Sequence, residues 1–97
     1  MERDIQKAIL DYLTYKQVFH WKQNNAGIKK ANGSYIPAGK LGVPDIICVV
    51  KGKFIGIEVK DANGRQTEHQ KRFQEELEGA GGRYILARSI DDVMGYF

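Results

Sequence analysis

The sequence predicts an α/β fold, a mixed β-sheet flanked by helices with its elements in the order αβββαβα. Three observations carry this expectation. An amphipathic stretch opens the chain, two short apolar runs joined by a tight turn sit at its centre, and a helical pattern then leads into a last apolar run. Strand, crossover helix and strand imply a right-handed connection, which places the last strand parallel to the strand before the helix.

Each element has its own signal. Ile5, Ala8, Ile9, Tyr12 and Leu13 follow the i, i+3, i+4, i+7, i+8 spacing of one apolar helix stripe, so a helix is expected from about residue 2 to 15. Val18 to Gln23 alternates enough for a strand carrying Phe19 and Trp21. Residues 24–44 hold Asn, Gly, Ser and Pro together with Lys29, Lys30 and Lys40, and read as a long loop or a short strand with an excursion. The runs Ile46-Ile47-Cys48-Val49-Val50 and Phe54-Ile55-Gly56-Ile57 are strands, with Lys51-Gly52-Lys53 as the turn between them. Thr67 starts a helix whose Phe73, Leu77 and Ala80 share one face and which ends at Gly79 to Gly82. Arg83 to Arg88 is a strand, and Ser89 with Asp92 is expected to cap a short terminal helix carrying Val93, Tyr96 and Phe97.

Composition narrows the class. Ninety-seven residues suit a single domain, 1–97. Nothing resembles a signal peptide or an 18-residue apolar stretch, so a soluble, intracellular (cytoplasmic) protein with no membrane partner is expected. One cysteine excludes an internal disulfide, and Cys48 inside an apolar strand is by default a small buried hydrophobe. One Cys and two distant His residues argue against structural zinc. A net charge of +3 and a pI near 9.0 lean towards nucleic acid over acidic partners.

The central hairpin carries the chemistry. Asp45 stands at the start of its first strand, in Gly42-Val43-Pro44-Asp45, and Glu58-Val59-Lys60 closes its second. A Lys51-Gly52 loop makes paired positions sum to about 103 and sets Asp45 against Glu58, whereas a Gly52-Lys53 loop makes them sum to about 105 and sets Asp45 against Lys60. In either register all three side chains share a face, because alternate strand residues point the same way. Opposed residues have Cβ atoms about 4.5–5.5 Å apart. Two carboxylates and an ammonium would crowd one patch, which outlines a divalent-metal and phosphate site. Each residue also has a plainer reading. Edge strands carry Lys and Glu for solubility, Asp after Pro suits a turn, Thr67 with Gln70 fits a capping box, and Glu2 complements the positive end of its helix.

The arrangement resembles the PD-(D/E)xK nuclease superfamily, and within it the VRR-NUC family of virus-type replication-repair nucleases, in its short stand-alone phage type. The residues that carry the resemblance are Glu2, Asn25-Ala26-Gly27, Gly42-Val43-Pro44-Asp45, Glu58-Val59-Lys60, Thr67-Glu68-His69-Gln70 and Gly81-Gly82, in that order over nearly the whole chain. The resemblance implies a restriction-endonuclease-like core. It also implies Glu2, Asp45, Glu58, Lys60 and Gln70 as catalytic residues, and the Val59 carbonyl as a backbone ligand beside Asp45 and Glu58.

The expected chemistry is phosphodiester hydrolysis, in which a protein mostly positions groups and neutralises developing charge. Asp45 and Glu58 supply hard oxygen ligands for Mg²⁺ or Mn²⁺, with Glu2 as a further metal or outer-shell candidate, and no small-molecule cofactor is expected. Lys60 would orient or deprotonate a water, or pair with the phosphorane, and Gln70 would fix Lys60 or the phosphate. Lys29, Lys30, Lys40, Arg65, Lys71 and Arg72 flank the site as candidate DNA-backbone contacts. Short members of the family resemble Holliday-junction resolvases, so branched DNA and a C2 homodimer are expected. A monomeric flap or nicking nuclease and a non-catalytic DNA-binding module are the alternatives.

Overall fold

The structure is a computed structural model that describes residues 1–23, 28–29, 31–36 and 39–97, with 28–29 and 35–36 described by their main chain. Helix α1 spans Glu2–Tyr15, and strand β1 spans Phe19–Lys22. Two short strands follow, β2 (Ile28–Lys29) and β3 (Tyr35–Ile36), then the hairpin β4 (Ile46–Val50) and β5 (Lys53–Val59). Helix α2 (Glu68–Gly79), strand β6 (Arg83–Ala87) and the single turn α3 (Asp91–Met94) complete the order. The main sheet runs β1-β4-β5-β6, with β6 parallel to β5 and the other pairs antiparallel. That is the expected αβββαβα arrangement, with one addition. β2 and β3 pair with each other as a separate antiparallel ribbon, within the stretch expected to be a loop or a short strand.

Alternation along the strands divides the sheet into two unlike faces. On one, Ile46, Cys48, Ile55, Ile57, Val59, Ile85 and Ala87 close over Ile9 and Leu13 of α1 and Val93 of α3 as the hydrophobic core. The buried Cys48 thiol, whose pKa burial raises to about 11, is one of its small apolar members. The other face lies under α2 and carries Ile47, Gly56, Glu58 and Tyr84. The candidate site residue Glu58 therefore sits on the face that the main core does not occupy.

Both long helices stop through the same hydrogen-bond pattern. After α1, Gln17 and Val18 donate to the carbonyls of Thr14 and Leu13; after α2, Gly81 and Gly82 donate to those of Glu78 and Leu77. The left-handed position is glycine in the second case, Gly81 at φ +94, and a non-glycine in the first, Gln17 at φ 58. The terminal helix departs from expectation. Its N-cap is Ile90 and no side chain caps it, because the Asp92 carboxylate reaches past Ser89 to accept from the Arg88 main-chain N–H at 2.8 Å.

Two glycines bring the strand entrance under α2. A Cβ on Gly42, at φ +79, would overlap the His69 carbonyl in the first turn of that helix. A Cβ on Gly56 would stand 2.6 Å from Cγ of Pro44, which is fully buried against it. Gly52 in the hairpin turn has nearly the same φ as Gly42, +81, but nothing within 4 Å of its Cβ position. Replacing either by alanine imposes the same backbone strain, so the difference between them isolates the approach to His69. Gly52→Ala is expected to cost about 1 kcal/mol, and Gly42→Ala about 1–3 kcal/mol more, read by urea unfolding. Equal losses would show that the approach imposes no constraint.

Candidate active site

The hairpin turn decides where the charged groups meet. Lys51 and Gly52 both have positive φ, 50 and 81, the signature of a two-residue type I′ turn. The resulting pairs are Val50 with Lys53, Cys48 with Ile55 and Ile46 with Ile57, and one step further sets Asp45 against Glu58. This is the first of the two registers that the sequence allowed. Asp45 is held on both sides, its Oδ2 accepting from Val59 N–H at 2.9 Å and its carbonyl from Gln23 N–H at 2.7 Å.

Glu58 is the most constrained polar group of the face. It is 3 % exposed, a buried acid at the end of the apolar run Phe54-Ile55-Gly56-Ile57. Its Oε2 accepts from Gln70 Nε2 at 3.2 Å and lies 3.7 Å from Lys60 Nζ, while its Oε1 is buried with no hydrogen-bond partner among the described residues. Burial, and then the Asp45 carboxylate, raise its pKa to about 8 against the pull of Lys60. Burial and the neighbouring carboxylate thus both disfavour the charged form of Glu58.

Gln70 forms the capping box, and the contact it adds is to Glu58, where the expectation was Lys60 or a phosphate. Its Oε1 accepts from Thr67 N–H at 2.9 Å while the Thr67 hydroxyl accepts from Gln70 N–H at 3.2 Å, which completes the capping box. The other end of the same amide reaches Glu58. Glu2 is exposed, and its Oε2 borders Gly64 together with the Lys60 stem. Glu2 thus sits on the rim, and among the described residues no group of three or more His, Cys, Asp or Glu gathers into a metal cluster. Val59 lies between Glu58 and Lys60 with its side chain in the core.

Of the proposed backbone contacts, Lys40 pairs with Glu76 at 3.4 Å and Lys71 with Glu68 at 3.5 Å. Arg65 and Arg72 are exposed, and Arg72 lines a cleft of about 300 Å³ with Lys40, Leu41, His69, Phe73 and Glu76. The Lys29 side chain, Lys30 and the Asn25-Ala26-Gly27 motif lie outside the described residues.

Sequence reasoning missed two residues here. Tyr84 pairs with Gly56 and is buried under α2, its hydroxyl without a partner among the described residues and its pKa raised by burial to about 12. Gln66 beside it donates to Gln74 instead, at 3.0 Å. Arg88 follows β6 directly, and its Nη1 donates to the carbonyls of Asp61 at 2.6 Å and Gly64 at 2.8 Å. The position of Arg88 beside Lys60 depends on the parallel register of β5 and β6, for which the sequence carries no turn to count from.

These features define a mixed α/β fold in which a four-stranded mixed sheet is flanked by helices. More particularly, the fold is that of a VRR_NUC domain: a solved structure described as such matches 99% of this chain and 96% of its own, with a TM-score of 0.70 and 21% sequence identity. No family model matches the sequence, and no curated protein does.

The raised Glu58 pKa has a measurable consequence. The unfolded carboxyl titrates near 4.5 and the folded one near 8, so the folded state binds the extra proton between them. The stability this lends is complete below pH 4.5 and is lost as pH rises through 8. Glu58→Gln removes the titration. In chelator, urea unfolding from pH 5 to 9 is expected to show the variant gaining on wild type by on the order of a few kcal/mol. A constant gap would refute this environment for Glu58.

Proposed function

We propose that this protein is a metal-dependent DNA endonuclease of the VRR-NUC family, that Asp45, Glu58 and Lys60 are the centre of its site, and that it resolves four-way junctions as a homodimer. One observation carries the reading: on this fold, Asp45 lies opposite a buried Glu58 whose Oε1 has no hydrogen-bond partner among the described residues and whose Oε2 is 3.7 Å from Lys60 Nζ. An unpartnered buried carboxylate facing another is a poor structural element and a good donor set for a hard cation.

Mg²⁺ or Mn²⁺ suits this all-oxygen donor set. Asp45 and Glu58 would hold it with the Val59 carbonyl, and Glu2 would order outer-shell water. When bound, the cation supplies positive charge to the phosphate and makes a bound water more acidic. The protein's own groups do the rest. Val59 N–H and Gln70 Nε2 orient the two carboxylates, so they need not reorganise when DNA arrives. Lys60 takes the water proton or neutralises the phosphate oxygens as the new P–O bond forms and the P–O bond to the leaving strand end breaks. Arg72, His69 and Lys40 in their cleft, with Lys71 beside it, offer contacts to DNA phosphates on the α2 side of the site, and Arg65 is a further candidate contact.

A comparison of a four-way junction, a 5′ flap and linear duplex tests the substrate, with Mg²⁺ present. The junction is expected to be cut fastest. Asp45→Ala and Glu58→Ala are expected to abolish cutting while the fold remains, and Lys60→Ala to lower turnover far more than Mn²⁺ affinity. Near wild-type cutting by either carboxylate variant would overturn the site.

The homodimer rests on aromatic surface. Phe19 and Trp21 stand on the free edge strand β1, 69% and 41% exposed, with their rings edge to face at 5.9 Å. Tyr96 is exposed as well, whereas Tyr84 is buried in the monomer. Light scattering at micromolar concentration is expected to give twice the 11.0 kDa chain mass. A clean monomer would favour a flap or nicking nuclease over a symmetric resolvase.

A further inference from the structure

Lys60 leaves the sheet at the end of β5, where a lysine has four rotatable bonds and every reason to wander. Its surroundings restrict it. Its main-chain N–H donates to the Ala87 carbonyl at 3.0 Å, which ties the residue to the last position of β6. The chain then turns back through 61–64, so that a Cβ on Gly64 would stand 3.2 Å from Lys60 Cδ, 3.3 Å from Lys60 Cβ and 3.3 Å from Glu2 Oε2. The turn therefore lies on the lysine stem, with the Glu2 carboxylate beside that stem.

Two devices hold this turn. Asp61 Oδ1 accepts from the N–H groups of Asn63 at 2.9 Å and Gly64 at 2.8 Å, which closes it from within. From outside, Arg88 Nη1 donates to the Asp61 and Gly64 carbonyls, one at each end of the turn. Arg88 is itself placed by its main-chain N–H, which the Asp92 carboxylate accepts at 2.8 Å. None of the ion pairs among the described residues involves the Arg88 guanidinium. Its role in the fold is thus the two carbonyls, and the planar donor geometry of arginine suits that role better than a lysine would.

We propose that Arg88 is the positioning residue for Lys60: its guanidinium pins both ends of the 61–64 turn, and the turn confines the Lys60 stem so that its ammonium is aimed at Glu58. The inference rests on Lys60 acting in strand cleavage as proposed above, but its structural half stands independently of any activity. Arg88 does not touch the reacting groups; it acts through Asp61 and Gly64.

The test compares Arg88→Ala, Arg88→Gln and Gly64→Ala with wild type. Glutamine keeps an amide donor for the carbonyls without the charge, and Gly64→Ala crowds the Lys60 stem directly without touching Arg88. Two readouts are taken: single-turnover and steady-state cleavage of a four-way junction with Mg²⁺, and ¹³C relaxation of the Lys60 side chain without metal or DNA. Arg88→Ala and Gly64→Ala are expected to lower kcat on the order of 10- to 100-fold, as a misplaced group does, with KM for DNA unchanged. Arg88→Gln is expected to recover much of that loss. Lys60 relaxation should show a restricted side chain in wild type and Arg88→Gln, and a looser one in Arg88→Ala. If Ala and Gln weaken DNA binding equally and leave kcat intact, Arg88 is a phosphate contact and the proposal is overturned. Unchanged Lys60 relaxation in Arg88→Ala overturns it as well. If the wild-type protein cuts nothing while Arg88→Ala still loosens Lys60, the nuclease reading sinks and the positioning role stays in place.

Discussion

Two consecutive residues at positive φ, Lys51 and Gly52, set the register on which the site depends. A two-residue turn of that hand matches the twist of the strands it joins, so β4 and β5 pair without slippage from Val50–Lys53 outwards. Six residues from the turn, the same register delivers Asp45 opposite Glu58. A slip of one residue would turn Glu58 into the α1 core and carry Val59 out of it. The buried set Ile46, Cys48, Ile55, Ile57 and Val59 therefore protects the alignment of the acids, because their apolar area is lost if the pairing moves.

The second face of the sheet shows what the site demands of its surroundings. Pro44 can lie on the strand only because Gly56 has no side chain, and the loop can pass the first turn of α2 only because Gly42 has none. Close approach there puts the acids under a helix and away from bulk water. Burial in turn makes Glu58 reluctant to ionise, and among the described residues neither its Oε1 nor Tyr84 OH on the same face has a hydrogen-bond partner. Each such group is an unfavourable term for folding alone. The apolar face toward α1 provides the stability, and the polar face draws on it.

Much of this was readable from residue spacing. Alternation places Asp45, Glu58 and Lys60 together whichever turn forms, and the α1 stripe and the Thr67–Gln70 pair mark their helices to within a residue. What spacing does not contain is the choice between two turns that differ by one residue, since Lys51 at positive φ is uncommon for a side-chain-bearing residue. Nor does it contain the β5–β6 register, which joins strands separated by a whole helix and brings Arg88 to the turn after Lys60. At the C-terminus, Ser89 and Asp92 have capping-box chemistry, but a competing main-chain donor at Arg88 takes the carboxylate. The β2–β3 ribbon is too short for periodicity to show.

A capping box ordinarily accepts glutamate or glutamine at its third helical position, since either offers an oxygen to the cap amide. Here the side chain has a second obligation. Its nitrogen faces Glu58 Oε2, and a glutamate at the same place would keep the cap but turn a third carboxylate oxygen towards the two already crowded at the strand ends. The amide is the group of that size that can accept at one end and donate at the other. A substitution that looks silent from the helix would therefore be heard at the acids, and the choice between Gln and Glu at position 70 belongs to the site and not to the helix.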